Sequence, residues 1–128
     1  MAYKLLIVDD NAEVRNLLRL TLSFDDYQIR EATNGVDALA IIEEWRPHMA
    51  ILDIMMPGEK DGLQVCYEVK HNADLKHTFI AMLTARGQTT DIKEGVNVGA
   101  DTYLIKPFSP AVLRSVVTVC FDNLNKSA

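Results

Sequence analysis

The 128-residue chain is 48% hydrophobic and 24% charged, and carries a formal net charge of −5. That size allows one domain with a buried core and excludes two ordinary ones, and the balance is that of a soluble globular protein. The acidic excess disfavours non-specific binding to nucleic acid or acidic membranes, and no apolar run approaches the roughly 18 residues that span a bilayer.

In chain order, the opening MAYKLLIVDD lacks the apolar region and cleavage site of a signal peptide. Residues 5–8, LLIV, predict a buried strand that runs straight into Asp9 and Asp10. Aspartate is a poor strand former and an unpaired buried carboxylate is costly, so this pair demands a partner. Asn11 opens a helix with Val14, Leu17, Leu18, Thr21 and Leu22 on one face. YQIREA, residues 27–32, is a more polar strand and so belongs at an edge. Residues 33–35, TNG, start a helix carrying Val36, Leu39 and Ile42, which Pro47 closes. MAILD, residues 49–53, is the third strand, and MMPGEKDG is a loop by its proline and two glycines.

Residues 63–71 read as a helix and residues 78–84, TFIAMLT, as the fourth strand. A helix with Ile92 and Val96 inward follows, then a fifth strand at residues 102–105, TYLI. Ser109 as N-cap and Pro110 at the first helical position open the last helix. There Leu113, Val117, Cys120 and Leu124 form one apolar line, and Val112, Val116 and Val119 form another. Two lines fit either a generously apolar core helix or a contact surface. Cys66 and Cys120 lie far apart in apolar helical patterns, which predicts buried free thiols in a reducing compartment and hence the cytoplasm. His48, His71 and His77 share no ligand spacing and read as surface or loop residues.

Five strands alternating with five helices predict an α/β fold with a single doubly wound parallel sheet. Such sheets place their sites beyond the carboxyl ends of the strands. Asp9 and Asp10, Asp53, Thr84 and Lys106 end four of these strands and so converge on one rim. Singly each has an ordinary explanation as a turn, strand or solvated residue; jointly they describe a site. Three ionised aspartates repel one another, and a divalent cation together with the Lys106 ammonium neutralises them. Oxygen-only ligands favour Mg²⁺ or Mn²⁺ over zinc. A carboxylate not consumed by the cation can act as nucleophile, while ammonium and hydroxyl meet the oxygens of a transferred phosphoryl group. No Walker-type phosphate loop or Gly-x-Gly-x-x-Gly is present, so the phosphoryl donor arrives on something other than a bound nucleotide.

LLIVDDN, ILDIMMPGEKDG, MLTA and GADTYLIKPF, in this order and spacing, resemble the receiver domain of two-component response regulators. The resemblance covers nearly the whole chain, with residues 1–124 as the receiver and 125–128 as a polar tail or the start of a linker. It implies a flavodoxin-like (βα)5 fold with strand order 2-1-3-4-5. It implies that Asp53 is the phosphoacceptor, that Asp9, Asp10, Asp53 and the backbone carbonyl of Met55 hold Mg²⁺, and that Thr84 and Lys106 meet the phosphoryl group. Tyr103 matches the switch aromatic, and the Lys106–Pro107 peptide is expected to be cis. A histidine kinase or phosphotransfer protein is then the donor. The face of the fourth helix, fifth strand and fifth helix (α4-β5-α5) serves a homodimer or output partner, with no direct nucleic acid and no membrane. Such a chain is a switch that assists its own phosphorylation and dephosphorylation rather than an enzyme. Starting just before the first strand suits an N-terminal position in a longer regulator, and a stand-alone receiver is the alternative.

Two features depart from the commonest pattern. GEKD, residues 58–61, makes the loop one residue longer than usual, and Met55 and Arg86 occupy the positions that tune phosphoryl lifetime. Met55 cannot orient an attacking water and Arg86 can shield the site, so a long-lived phosphoryl group is expected. Three rival readings are a phosphorylation-independent interaction module, a Mg²⁺-dependent aspartyl phosphohydrolase and a flavin protein. The hydrolase often has a second acid where Met55 stands, and DDNAEV would repel a flavin phosphate.

Overall fold

The structure is a computed structural model that describes residues 3–23, 27–85 and 98–127. Its strands are β1 (Tyr3–Val8), β2 (Tyr27–Ala32), β3 (Met49–Asp53), β4 (Phe79–Ala85) and β5 (Thr102–Lys106). Three helices, α1 (Ala12–Leu22), α2 (Gly35–Trp45) and α3 (Gly62–Lys70), are interleaved with them, and a C-terminal helix covers Pro110–Ser127. All strand pairs are parallel, in the order β2-β1-β3-β4-β5. The fold is therefore the expected flavodoxin-like α/β sheet. The expected helix with Ile92 and Val96, together with Arg86, falls outside the described residues, as does the Leu124 side chain.

Burial follows from strand position. Central β3 is buried at every residue, whereas edge strand β2 alternates and closes only at Ala32. Successive side chains take opposite faces. Leu6, Val8, Ala50 and Leu52 meet Ala38, Ile42, Val65, Cys66 and Val69 from α2 and α3. Leu5, Ile7, Met49 and Ile51 meet Leu18 and Leu22 from α1 and Leu113, Val117 and Cys120 from the C-terminal helix. Truncating one of the buried leucines, isoleucines or Met49 among these to alanine typically costs about 2–5 kcal/mol. Both cysteines are free and buried, as expected.

Each helix starts on a side-chain cap. Asn11 accepts from Glu13 N at 2.8 Å, Asn34 from Asp37 N at 2.9 Å, Asp61 from Gln64 N at 2.9 Å, and the Ser109 hydroxyl from Val112 N at 3.1 Å. Two apolar residues depart from their expected places. Leu17 and Val36 are each 46% exposed. Leu17 sits at the margin of the stripe centred on Leu18 and Thr21, and Val36 lies roughly 100° round the helix from buried Gly35. On the C-terminal helix Leu113, Val117 and Cys120 of the first apolar line are core, but Val112 and Val119 are more than half exposed. The second line is thus split, Val116 packing against the core while Val112 and Val119 face outward.

The longer loop is tied down at both ends. The Gly62 amide donates to the Ile54 carbonyl at 3.1 Å, and Lys60 Nζ pairs with Glu68 at 2.7 Å. The loop's main chain lies against α2, so close that a Cβ on Gly35 would meet the Lys60 carbonyl oxygen.

His48 links β3 to β1: its Nδ1 accepts the Lys4 amide at 3.0 Å. Burial, and then the charges of Lys4 and His77, hold its pKa below 6.5. The unfolded chain therefore binds this proton more readily than the folded one, so the folded state loses stability as pH falls through 6.5 towards the lowered value. His48→Asn keeps an acceptor but cannot titrate. Urea unfolding at about pH 7.5 and about pH 5.5 is expected to show wild type losing more stability than His48→Asn. Equal losses would count against the assignment.

Candidate functional site

The parallel register brings the carboxyl ends of the strands level: Val8 pairs with Leu52, Asp53 with Leu83, and Ala85 with Lys106. Asp9 follows β1 and is fully buried, Asp53 ends β3 and is 6% exposed, Thr84 is buried near the end of β4, and Lys106 ends β5. The β5 strand runs one residue further than its apolar pattern predicts, which makes Lys106 part of the sheet. Its peptide bond to Pro107 is cis, as expected.

The polar pairing is complete at the two buried carboxylates. Lys106 Nζ donates to Asp9 Oδ2 at 2.9 Å and to Asp53 Oδ2 at 3.1 Å. The other oxygens accept backbone amides, Asp9 Oδ1 from Asn11 at 2.9 Å and Asp53 Oδ1 from Met55 at 3.1 Å. Burial of these charges is tolerable because an ammonium and oriented amides replace water around them. Asp10 is exposed beside them, and one carboxylate oxygen from each of Asp9, Asp10 and Asp53 lies within 4.8 Å of the others. Three hard oxygen donors at that spacing suit a small divalent cation such as Mg²⁺.

The electrostatics leave Asp53 short of compensation. Burial first, and then the Asp9 charge, push its pKa up to about 6 against the opposing pull of Lys106. For Lys106, burial works to lower the pKa, but the hydrogen bond to Asp9 and the attraction of Asp53 prevail and raise it. Lysine alone therefore does not cancel the negative charge of the cluster, which is the condition under which an added cation binds.

Met55 is 65% exposed, and it meets the site through its backbone amide, which donates to Asp53. Tyr103 packs its ring against the layer formed with α2 and α3, and its buried hydroxyl has no hydrogen-bond partner among the described residues. Burial, then the neighbouring Cys66, raises its pKa. One contact lay beyond sequence reasoning: Arg15 Nη1 donates to the Asp9 carbonyl at 2.7 Å. Its only sequence signal is the spacing of Arg15 and Arg19 along a helix that ends up facing Glu31 on β2.

A family model described as "Response regulator receiver domain" matches residues 5–118. The chain belongs to the response-regulator receiver family. It is 41% identical over 125 residues to the "Probable transcriptional regulator ycf27" of Guillardia theta, covering 98% of this chain and 48% of that protein. It is 40% identical over 130 residues to the "Transcriptional regulatory protein ResD" of Bacillus subtilis, covering 95% of this chain and 52% of that one. The chain thus spans about half the length of the curated relatives it matches. Among solved structures, a putative response regulator from Chloroflexus aurantiacus superposes with a TM-score of 0.89 at 37% identity, over 94% of this chain and 98% of that one. This receiver is a module of two-component signalling rather than a classical enzyme, and receivers bind Mg²⁺ at an acidic pocket. Among the described residues no helix is long and apolar enough to cross a membrane.

Proposed function

We propose that this receiver is a phosphorylation-driven switch in which Asp53 accepts a phosphoryl group from phosphohistidine on a histidine kinase or phosphotransfer protein. The observation that carries this reading is the meeting of Asp9, Asp53 and Lys106 at one rim, with Asp10 alongside. An Asp53 carboxylate oxygen attacks phosphorus, the phosphorus–nitrogen bond breaks, and its electron pair returns to the imidazole. The Lys106 ammonium follows the charge onto the phosphoryl oxygens, and the Thr84 hydroxyl donates to one of them. Asp9, Asp10, Asp53 and the Met55 carbonyl would hold Mg²⁺, which when bound supplies positive charge opposite those same oxygens.

The new charge then biases a two-state equilibrium through Thr84 and Tyr103. A homodimer or an output partner would read it on the α4-β5-α5 face of the family. Exposed Ile105, Val112 and Val119 on β5 and the C-terminal helix support that surface. The working unit is residues 1–124, with 125–128 as a polar tail or the start of a linker, acting in the cytoplasm and assisting only its own phosphorylation and dephosphorylation. The thioether of exposed Met55 offers no base for turnover of a substrate, which disfavours a phosphohydrolase.

Intact mass after incubation with acetyl phosphate and Mg²⁺ tests the reading. Wild type is expected to gain one phosphoryl group only with Mg²⁺, and Asp53→Ala none. No gain even from a phosphorylated donor protein would point instead to an interaction module that works without phosphorylation. The phosphoryl group is also expected to be long-lived, with a shorter half-life in Met55→Asn and in Arg86→Ala. Half-lives unchanged in both would remove that expectation.

A further inference from the structure

The Asp9 carbonyl marks the place where β1 outruns its neighbour β2. The Asp9 amide still donates to Ala32 O at 3.2 Å, but β2 ends at Ala32. An acceptor left there needs a donor from elsewhere. Arg15, one turn into α1, supplies it from Nη1 at 2.7 Å. The guanidinium is itself pinned: Nε donates to Glu31 Oε1 at 3.2 Å, and Glu31 Oε2 accepts from Arg19 Nε at 2.8 Å. Glu31 is available because β2 alternates, turning Tyr27, Ile29 and Glu31 towards α1. Exposure falls along this chain from 45% at the Arg19 side chain to 28% at Glu31 and 17% at Arg15.

The carbonyl of Asp9 and the amide of Asp10 form one planar unit, so fixing the carbonyl fixes the direction in which Asp10 leaves the strand. That matters because the Asp10 carboxylate makes no hydrogen bond with the described residues, whereas Asp9 and Asp53 are each held by two. Its place beside them depends on the backbone. We infer that Arg15 is a positioning residue for the cation site, its Glu31-pinned guanidinium holding the Asp9–Asp10 peptide so that Asp10 faces Asp9 and Asp53. This rests on the proposed reading of the carboxylates as a Mg²⁺ site.

The sign of the effect separates positioning from simple electrostatics. Arg15 carries positive charge close to a cation site, so as a mere bystander its removal would tighten Mg²⁺ binding. As a positioning residue its removal weakens binding, and outer-shell partners of metal ligands typically contribute about 10-fold to 100-fold in affinity. Arg19→Met is the control, because it removes the same charge and the same Glu31 partner without touching Asp9. Calorimetric titration with Mg²⁺ is expected to show Arg15→Met weakened about 10-fold or more and Arg19→Met little changed. Arg15→Lys keeps the charge but lacks the planar fork that reaches Asp9 and Glu31 together, and is expected to weaken binding too. Melting in a chelator shows whether each variant is folded; if Arg15→Met is not, Arg15→Lys decides. Arg15 variants that bind Mg²⁺ as tightly as Arg19→Met overturn the inference. A wild-type chain that takes up no Mg²⁺ overturns the reading of the site, and the inference with it.

Discussion

Gly62→Ala is expected to lower the melting temperature by about 10 °C and to impair phosphoryl acceptance in the same molecule, although residue 62 carries no chemistry. The reason is the seat of α3. A Cβ on Gly62 would lie 2.2 Å from the Asp53 carbonyl oxygen, 2.9 Å from the Asp53 carbonyl carbon and 3.0 Å from Ile54 Cα. All three are main-chain atoms, so no flexible side chain can swing aside. Relief requires moving either the first turn of α3, which Gly62 N anchors to Ile54 O, or the peptide that carries Asp53. Overpacking of this kind costs about 1–3 kcal/mol and more where backbone must shift, which exceeds the fraction of a kcal/mol that alanine gains in helix propensity. Because the atoms in the way belong to Asp53 and its neighbour, the strain falls on the proposed acceptor. Gly58→Ala is the comparison: a Cβ there meets nothing within 4 Å, and only the positive φ of 98° opposes it. It is expected to cost about 1–2 kcal/mol and to leave acceptance intact. Thermal melts and acetyl phosphate labelling of both variants decide the matter. A Gly62→Ala protein that melts and labels like wild type would show that α3 is not seated as described.

The rim was readable from sequence because a parallel sheet turns a list of strand ends into a place. Lys106 and Asp9 are 97 positions apart and joined by a 2.9 Å hydrogen bond, yet each simply follows an apolar run. Knowing that the runs are parallel was enough to bring them together. Strand composition also placed β2 at the edge, since an alternating, polar strand cannot be covered on both faces. What stayed hidden depends on the third dimension. Leu17 and Val36 look like core residues in a periodic pattern, but the pattern does not say where the helix meets the sheet or where a stripe runs out. The path of the longer loop is set by close backbone approach at Gly35 and Gly62, a contact that sequence spacing does not encode. Arg15 was missed for a related reason. Its partner is a carbonyl, and a backbone group leaves no mark in the sequence at the position where it needs a donor.

Lys106→Met is expected to cost about 3–5 kcal/mol of stability in the presence of a chelator, the typical consequence of stranding a buried charge. Asp9 is fully buried and Asp53 nearly so, and the Lys106 ammonium is the one cation that hydrogen-bonds both among the described residues. Methionine preserves most of the stem and removes only the charge, so lost packing contributes little. Two further measurements separate stranded charge from general damage. Mg²⁺ is expected to stabilise Lys106→Met more than it stabilises wild type, because a cation arriving among three carboxylates then has no resident ammonium to repel it. At about 100 times its dissociation constant it would restore about 2.7 kcal/mol. Second, Asp9→Asn introduced into Lys106→Met is expected to recover stability, since removing both members of a buried pair leaves less unpaired charge than removing one. Denaturant unfolding of wild type, the two single variants and the double variant in chelator gives the coupling directly. If the double variant is less stable than Lys106→Met, the ammonium is not what makes the buried carboxylates tolerable, and the compensation must lie with the amides of Asn11 and Met55 instead.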